Sequence, residues 1–179
     1  MKERKIIVIS GKQFSGKDSV AALITKFLPD FKQVALADAI KAEFGKAKSL
    51  RISEIERNKP LYRADLIALG NKRRAEDANY WIKKVVAEEG NIMVSDVRLK
   101  YELETFKKYG AITIRVNSDR EQRAKRGLLT NETDLTETEL DSVKNWDYVI
   151  ENNEDLSSLK EKVRKIIQEI EKSMYSSCP

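Results

Sequence analysis

The stretch Gly11-Lys12-Gln13-Phe14-Ser15-Gly16-Lys17-Asp18 limits what this chain can fold into more than any other. It follows the apolar run Ile6-Ile7-Val8-Ile9 and leads into Ser19-Val20-Ala21-Ala22-Leu23-Ile24, an order that reads as strand, glycine loop, helix. Gly11 and Gly16 allow the backbone angles of a tight loop in which successive N–H groups and the helix N-terminus point at one anion. Lys17 would supply a point charge between the transferred and retained phosphates of a nucleotide. The expected nucleotide contacts are Gly11, Lys12, Ser15, Gly16, Lys17, Asp18 and Ser19. The competing interpretation is an ordinary strand-to-helix turn.

The residue after the lysine is Asp18, where Ser or Thr is usual and its hydroxyl coordinates magnesium. A carboxylate can hold Mg²⁺ directly or through water, and it also complements the positive end of a helix dipole.

The length of 179 residues suits one domain with a full core. No apolar run approaches the length of a bilayer crossing, and the run after the basic start Met1-Lys2-Glu3-Arg4-Lys5 is too short for a signal-peptide core. Cys178 is the only cysteine, so no internal disulfide can form, and a reducing cytoplasm fits. The chain contains no histidine, which removes the commonest general base and transition-metal ligand and leaves carboxylate-bound hard metals such as Mg²⁺. The net charge of +5 is unevenly spread. Lys41 to Arg74 holds ten Lys or Arg against four acids, whereas Leu128 to Asp155 holds one lysine against nine acids. The basic region suggests an anionic substrate or, more plainly, a solvated helical surface.

Further along, the first helix should end near Leu28-Pro29, and Phe31 to Leu36 reads as a second strand. Asp38 is expected to cap the next helix or to contact substrate at the carboxyl edge of the sheet. Helices are expected from Ser53, over Tyr62–Gly70 and over Tyr80–Val86, with Tyr80 and Trp81 either core or a stacking platform. Ile92 to Ser95 is a buried strand from which Asp96 and Arg98 emerge together, suited to magnesium-water and phosphate contacts or to a structural ion pair. A helix from Tyr101 to Tyr109 precedes a fourth strand, Ala111 to Val116. Arg120, Arg123 and Arg126 recur every three residues on the helix Ser118–Gly127, and their forks match phosphate oxygens, although a solvated basic face would look the same. Residues 131–141 are acidic and poor in apolar side chains, as in a mobile loop. Asp147 to Glu151 makes a fifth strand, Leu156 to Lys172 the closing helix, and 173–179 a flexible tail. Strands alternating with helices imply right-handed crossovers and a parallel sheet covered on both faces.

These pieces together resemble the P-loop nucleoside-monophosphate-kinase superfamily, and within it the deoxynucleoside monophosphate kinases and the animal-type phosphomevalonate kinases. The resemblance runs almost end to end. It rests on Ser10 to Asp18, Arg63 with Gly70, Lys72 and Arg73, Ser95-Asp96-Val97-Arg98, Tyr109-Gly110-Ala111, Arg123 and Arg126, and Asp147 to Asn152. It implies a three-layer α/β fold with a five-stranded parallel sheet in the order 2-3-1-4-5. It also implies one kinase domain over 1–172, a substrate-binding region at about 38–89 and a lid at about 118–141. ATP is the implied co-substrate, Mg²⁺ the implied cofactor with Asp18 and Asp96 near it, and a small phosphorylated compound the implied acceptor. Asp38, Lys41, Arg63 and Arg98 would bind the acceptor, and Lys17, Arg123 and Arg126 would act on the transferred group.

The spacing around Arg63 to Arg74 is closer to the phosphomevalonate type. Gln13-Phe14, Leu99 and Ala37-Asp38-Ala39-Ile40-Lys41 are closer to the deoxynucleotide type, and fewer cations suit a less anionic acceptor. The balance favours a nucleotide acceptor, with phosphomevalonate as the alternative. A P-loop ATPase or GTPase switch is the alternative of another class, but the chain lacks an Asn-Lys-x-Asp motif and an apolar strand ending in Asp-Glu. Neither membrane nor nucleic acid is expected as a partner.

Overall fold

The computed structural model describes residues 4–175. Five strands, β1 (Ile6–Ser10), β2 (Phe31–Val34), β3 (Asn91–Val94), β4 (Ile112–Asn117) and β5 (Tyr148–Glu151), form one sheet in the order β2-β3-β1-β4-β5. β1 pairs in parallel with β3, Val8 opposite Val94, and with β4, Ser10 opposite Arg115. β4 pairs in parallel with β5, Asn117 opposite Glu151. The carboxyl ends of β1, β3, β4 and β5 therefore share one edge, and the segments that follow them carry Lys17, Arg98, Arg123 and Asn152. Open α/β sheets bind their ligands along such an edge.

Every residue of β1 is buried, as a central parallel strand with layers on both faces must be. Ile7 and Ile9 pack into a core with Val20, Ala21 and Ile24 of α1 (Lys17–Phe27) and with Leu159, Val163, Ile167 and Ile170 of the last helix, α9 (Leu156–Tyr175). The spacing of those four residues forms one stripe along α9 and leaves Leu156 exposed. Ile6 and Val8 lie outside that cluster, and Leu103 and Phe106 of α6 (Lys100–Lys108), which packs against β1, are fully buried.

The chain forms two compact units. One consists of the chain up to Gln33 and from Gly90 onward, and the other of Val34–Glu89. The second unit is helical, with α2 (Leu36–Lys48), α3 (Ile52–Arg57), α4 (Lys59–Glu76) and α5 (Tyr80–Val86). Trp81 belongs to its core: the ring is buried and Nε1 donates to the Gly70 carbonyl at 3.1 Å.

Several local expectations are corrected. β2 stops at Val34 because α2 begins two residues later, which makes Ala35 the cap and puts Asp38 in the first turn with no capping role. α7 covers only Arg120–Arg126. The acidic segment is not an irregular loop: α8 (Leu135–Thr138) and a 3₁₀ turn (Glu139–Ser142) follow Asp134, whose carboxylate accepts from Thr136 N at 2.8 Å. Its few apolar residues mislead because Leu140 is buried and the carboxylates are held by cations. α9 continues through Tyr175, three residues past its expected end, and residues 176–179 of the expected tail lie outside the described residues.

Asp147 shows how the sheet is closed at β5. Its Oδ2 accepts from the backbone N and from Oγ1 of the fully buried Thr113 on β4, both at 2.7 Å. Removing a carboxylate that satisfies a buried donor costs about 1–3 kcal/mol. Asp147→Ala is expected to lower unfolding stability by about that amount, and Asp147→Asn by less, because the amide oxygen still accepts. Urea denaturation of both variants checks this.

Candidate active site

The phosphate loop leaves β1 at Ser10 and turns through Ser15, whose N–H donates to the Lys12 carbonyl at 3.1 Å. Gly16 precedes α1 with φ +97, and a Cβ there would stand 2.1 Å from the Asn152 side-chain amide. Both its angle and its surroundings require glycine. A Cβ at Gly11 would meet Ser15 Oγ at 2.4 Å and the Val116 carbonyl at 2.7 Å. No side chain caps α1, so the first-turn N–H groups of an eleven-residue helix are left to an external acceptor. The Lys17 side chain is 14% exposed, with its Nζ 3.9 Å from Asp18, while the Asp18 side chain is 84% exposed.

The carbonyls of the loop are held from outside. Asn152, at the end of β5, donates Nδ2 to the Ser15 carbonyl at 2.8 Å. Arg126 Nη1 donates to the carbonyls of Phe14 and Ser15 at 3.2 and 3.4 Å, and Nη2 to that of Asn152 at 2.8 Å. Arg123, a buried residue, donates Nη1 to the Gln13 carbonyl at 3.3 Å. Phe14 sits at φ +57, unusual for a bulky residue, and its ring lies so close to Gly127 that a Cβ there would be 2.3 Å away. Ser15 Oγ and Arg123 Nε are buried polar atoms without a hydrogen-bond partner.

The acidic segment supplies the counter-charge. Glu132 bonds Arg120 at 2.9 Å and Arg123 at 3.3 Å, which hold its carboxyl below the usual range, the Arg120 bond contributing most. Asp141 bonds Lys12 at 2.5 Å and Arg115 at 2.9 Å. Burial pushes the Arg115 guanidinium pKa down, against the pull of Asp141 and Glu137. Glu137, itself buried, accepts from the Gln13 backbone N–H at 2.8 Å and from Arg98 Nη1.

In the second unit, Lys41 Nζ bonds Asp38 at 2.8 Å and also Glu56. Burial alone would lower its pKa, but these two bonds outweigh it and the pKa is raised, so Lys41 stays cationic. A cavity of about 390 Å³ is lined by Lys41, Lys59, Arg63 and Arg74 together with the aliphatic Ile40, Leu66 and Ile67. Beside it, Glu43 accepts from Arg73 and the Tyr80 hydroxyl, both at 2.7 Å, tying α2, α4 and α5 together. Arg73 and Lys84 also lie over the Tyr80 ring, 5.1 and 5.2 Å from its centre.

Residues 9–111, more than half of the chain, match the phosphomevalonate kinase family model. The chain belongs to the phosphomevalonate kinase family. The deoxynucleotide monophosphate kinase model matches residues 75–163. Among solved structures, the fold is similar to shikimate kinase from Acinetobacter baumannii in complex with shikimate (14% identity, 96% of each chain covered, TM-score 0.58). It is similar too to a gluconokinase from Sinorhizobium meliloti (15% identity, 99% of each chain, TM-score 0.57). A third is dephospho-CoA kinase from Campylobacter jejuni (15% identity, 96% of this chain and 99% of that one, TM-score 0.52). At these identities the likeness establishes the fold. The protein is a P-loop small-molecule kinase that uses ATP and a small acceptor.

The kinase's first unit gathers Lys12, Ser15, Lys17, Arg98, Arg123 and Arg126 around one loop, together with Asp18 at the start of α1. Asp96 is half-buried just beyond β3, and Ser19 is exposed in the first turn of α1. Asp38, Lys41 and Arg63 belong to the second unit. Four residues of the loop's surroundings escaped the sequence: Asn152, Arg115, Glu137 and Asp141. Glu137 and Asp141 lie in a stretch that reads as a mobile loop, Arg115 within a strand, and Asn152 carries no signal beyond the family resemblance. Gly16→Ala must strain its backbone or displace Asn152. It is expected to fold, yet to bind an unhydrolysable ATP analogue at least about tenfold more weakly, the scale of one lost charge-assisted contact. Isothermal titration calorimetry checks it, and wild-type affinity would contradict it.

Proposed function

We propose that this kinase transfers the terminal phosphoryl group of ATP to the phosphate of a small phosphorylated carboxylic acid, and that phosphomevalonate is the acceptor to test first. The observation that carries this is the cavity of the second unit. Four cations surround an aliphatic floor, and none of the lining residues is acidic or aromatic. Such a lining suits a short chain with anionic groups, whereas a nucleobase calls for a stacking surface, and among the lining residues only Asn71 could hydrogen-bond its edge. Asp38, whose carboxylate would have suited a nucleoside, is bonded to Lys41 and is not part of the lining. A nucleotide acceptor is the second reading. It is supported by the deoxynucleotide kinase match and by the Ala37-Asp38-Ala39-Ile40-Lys41 stretch.

The chemistry asks little of a base. A phosphomonoester has a second pKa of about 6, so at neutral pH the acceptor is already a dianionic nucleophile, and a chain without histidine can serve it. What remains is to neutralise two polyanions and align them. In this scheme Lys17, the loop N–H groups and the first turn of α1 bind the ATP phosphates. Arg126 keeps the loop in shape through its carbonyls, and Arg123 does the same for the Gln13 carbonyl, both beside the transferred group. Lys41 and Arg63 of the second unit are assigned to the acceptor's anionic groups, and Arg98 of the first unit to a phosphate.

Among the described residues no cluster of three acids could hold a metal by itself. Mg²⁺ is commonly held by one or two carboxylates together with phosphates, and the exposed Asp18, with Asp96, fits that mode. Bound there, Mg²⁺ would supply neutralisation of phosphate charge, with Asp18 and Asp96 as the residues that would hold it. No helix among the described residues is long and apolar enough to cross a membrane. The absence of an internal disulfide suits a reducing cytoplasm as the place of action.

Coupled ATP turnover against a panel of phosphomevalonate, the deoxynucleoside monophosphates and water tests the assignment. Efficient use of phosphomevalonate is expected. Turnover of a nucleotide alone would select the second reading, and hydrolysis without an acceptor would point to an ATPase. Lys17→Ala is expected to stay folded and to lose at least ~10² in kcat with the preferred acceptor, the scale for one charge-stabilising donor. Near wild-type turnover would remove Lys17 from the mechanism.

A further inference from the structure

Glu137 stands out among the charged residues that the mechanism above leaves without a task. Its side chain is 4% exposed, although it lies on a four-residue helix in an acidic segment. Burying a carboxylate is costly unless both oxygens are satisfied. Here they are satisfied by two different elements: Oε2 accepts from the backbone N–H of Gln13 in the phosphate loop, and Oε1 accepts from Nη1 of Arg98, beyond β3. The segment that carries it is anchored to the same loop residue, since the Gln13 side chain donates to the Thr130 carbonyl at 2.9 Å and accepts from Thr130 N at 3.1 Å. One carboxylate thus fixes a phosphate-loop residue and the direction of a partly exposed guanidinium at once.

We propose that Glu137 is a positioning residue that couples Arg98 to the phosphate loop, so that the arginine is held in the orientation in which it meets a phosphate. The proposal rests on the assignment of Arg98 to phosphate binding made above. An arginine side chain left to itself samples many rotamers, and a guanidinium displaced by an ångström loses much of its value in aligning reactants. Glu137 touches neither reactant in this scheme. It acts through Arg98.

A double-mutant cycle on the full chain separates this from a purely structural role. Glu137→Gln keeps one oxygen for the Gln13 N–H but takes the negative charge from Arg98. It is expected to lower kcat about tenfold or more while leaving KM for ATP unchanged. Arg98→Ala should lower kcat at least as much, and the double variant should equal Arg98→Ala alone, because the two residues form one unit. The second readout needs no acceptor: hydrogen exchange of the Gln13 amide, followed by NMR. Arg98→Ala is expected to speed that exchange in the wild-type background and to have no effect once Glu137→Ala is present. Losses in kcat that multiply in the double variant would overturn the proposal, as would a Gln13 amide that does not respond to Arg98→Ala. If wild type phosphorylates no acceptor on the panel, the functional assignment fails, and the exchange cycle still decides whether Glu137 couples the two groups.

Discussion

A loop that turns its N–H groups toward a phosphate turns carbonyls the other way, and those carbonyls need donors of their own. Here the donors come from the far end of the sequence. Asn152 and Arg126 reach the Ser15 carbonyl, Arg126 also that of Phe14, and Arg123 that of Gln13. Gly16 is required at its position because the Asn152 amide occupies the space a Cβ would take. The parallel register makes this possible, since it brings the ends of β1, β4 and β5 to one edge of the sheet.

Such a concentration of cations needs compensation in the absence of bound phosphates, and the acidic segment provides it. Glu132, Glu137 and Asp141 bond Arg120, Arg123, Arg98, Lys12 and Arg115. Three carboxylates against five cations leave an excess of positive charge around the loop, the condition for attracting a polyanion. Lys17, whose only ion pair among the described residues is the 3.9 Å contact with Asp18, keeps most of its charge available. The segment is ordered by ion pairs and two buried side chains rather than by an apolar stripe.

The second unit solves a different problem with similar means. Its helices are tied by Glu43 to Arg73, Lys84 and Tyr80, and by Trp81 to Gly70. Burial would raise the pKa of the Glu43 carboxyl, but the bonds from Tyr80 and the two cations outweigh it and hold it low. Arg73 is thereby committed to structure. Lys41, Lys59, Arg63 and Arg74 line the cavity, and Arg63 has no ion pair or hydrogen bond among the described residues. Part of the basic region is therefore scaffold and part lines the cavity.

The fold was almost wholly legible in the sequence. β1 and β3 read as apolar runs, α9 carries a periodic apolar stripe, and the glycine loop between Ile9 and Ser19 admits few alternatives, because these signals act over neighbouring residues. Lys17, Asp18 and the arginines of α7 were legible for the same reason. The boundaries of β2 and α2 were not, since Asp38 looks like a cap until the backbone shows that the helix starts earlier. The acidic stretch 131–141 reads as a loop because its order comes from partners more than a hundred residues away, Gln13 for Glu137 and Lys12 for Asp141. Local sequence determined which groups can bind phosphate. Which of them are free to do so was decided by the tertiary structure, because whether a charge is available depends on the counter-charge that folding places beside it.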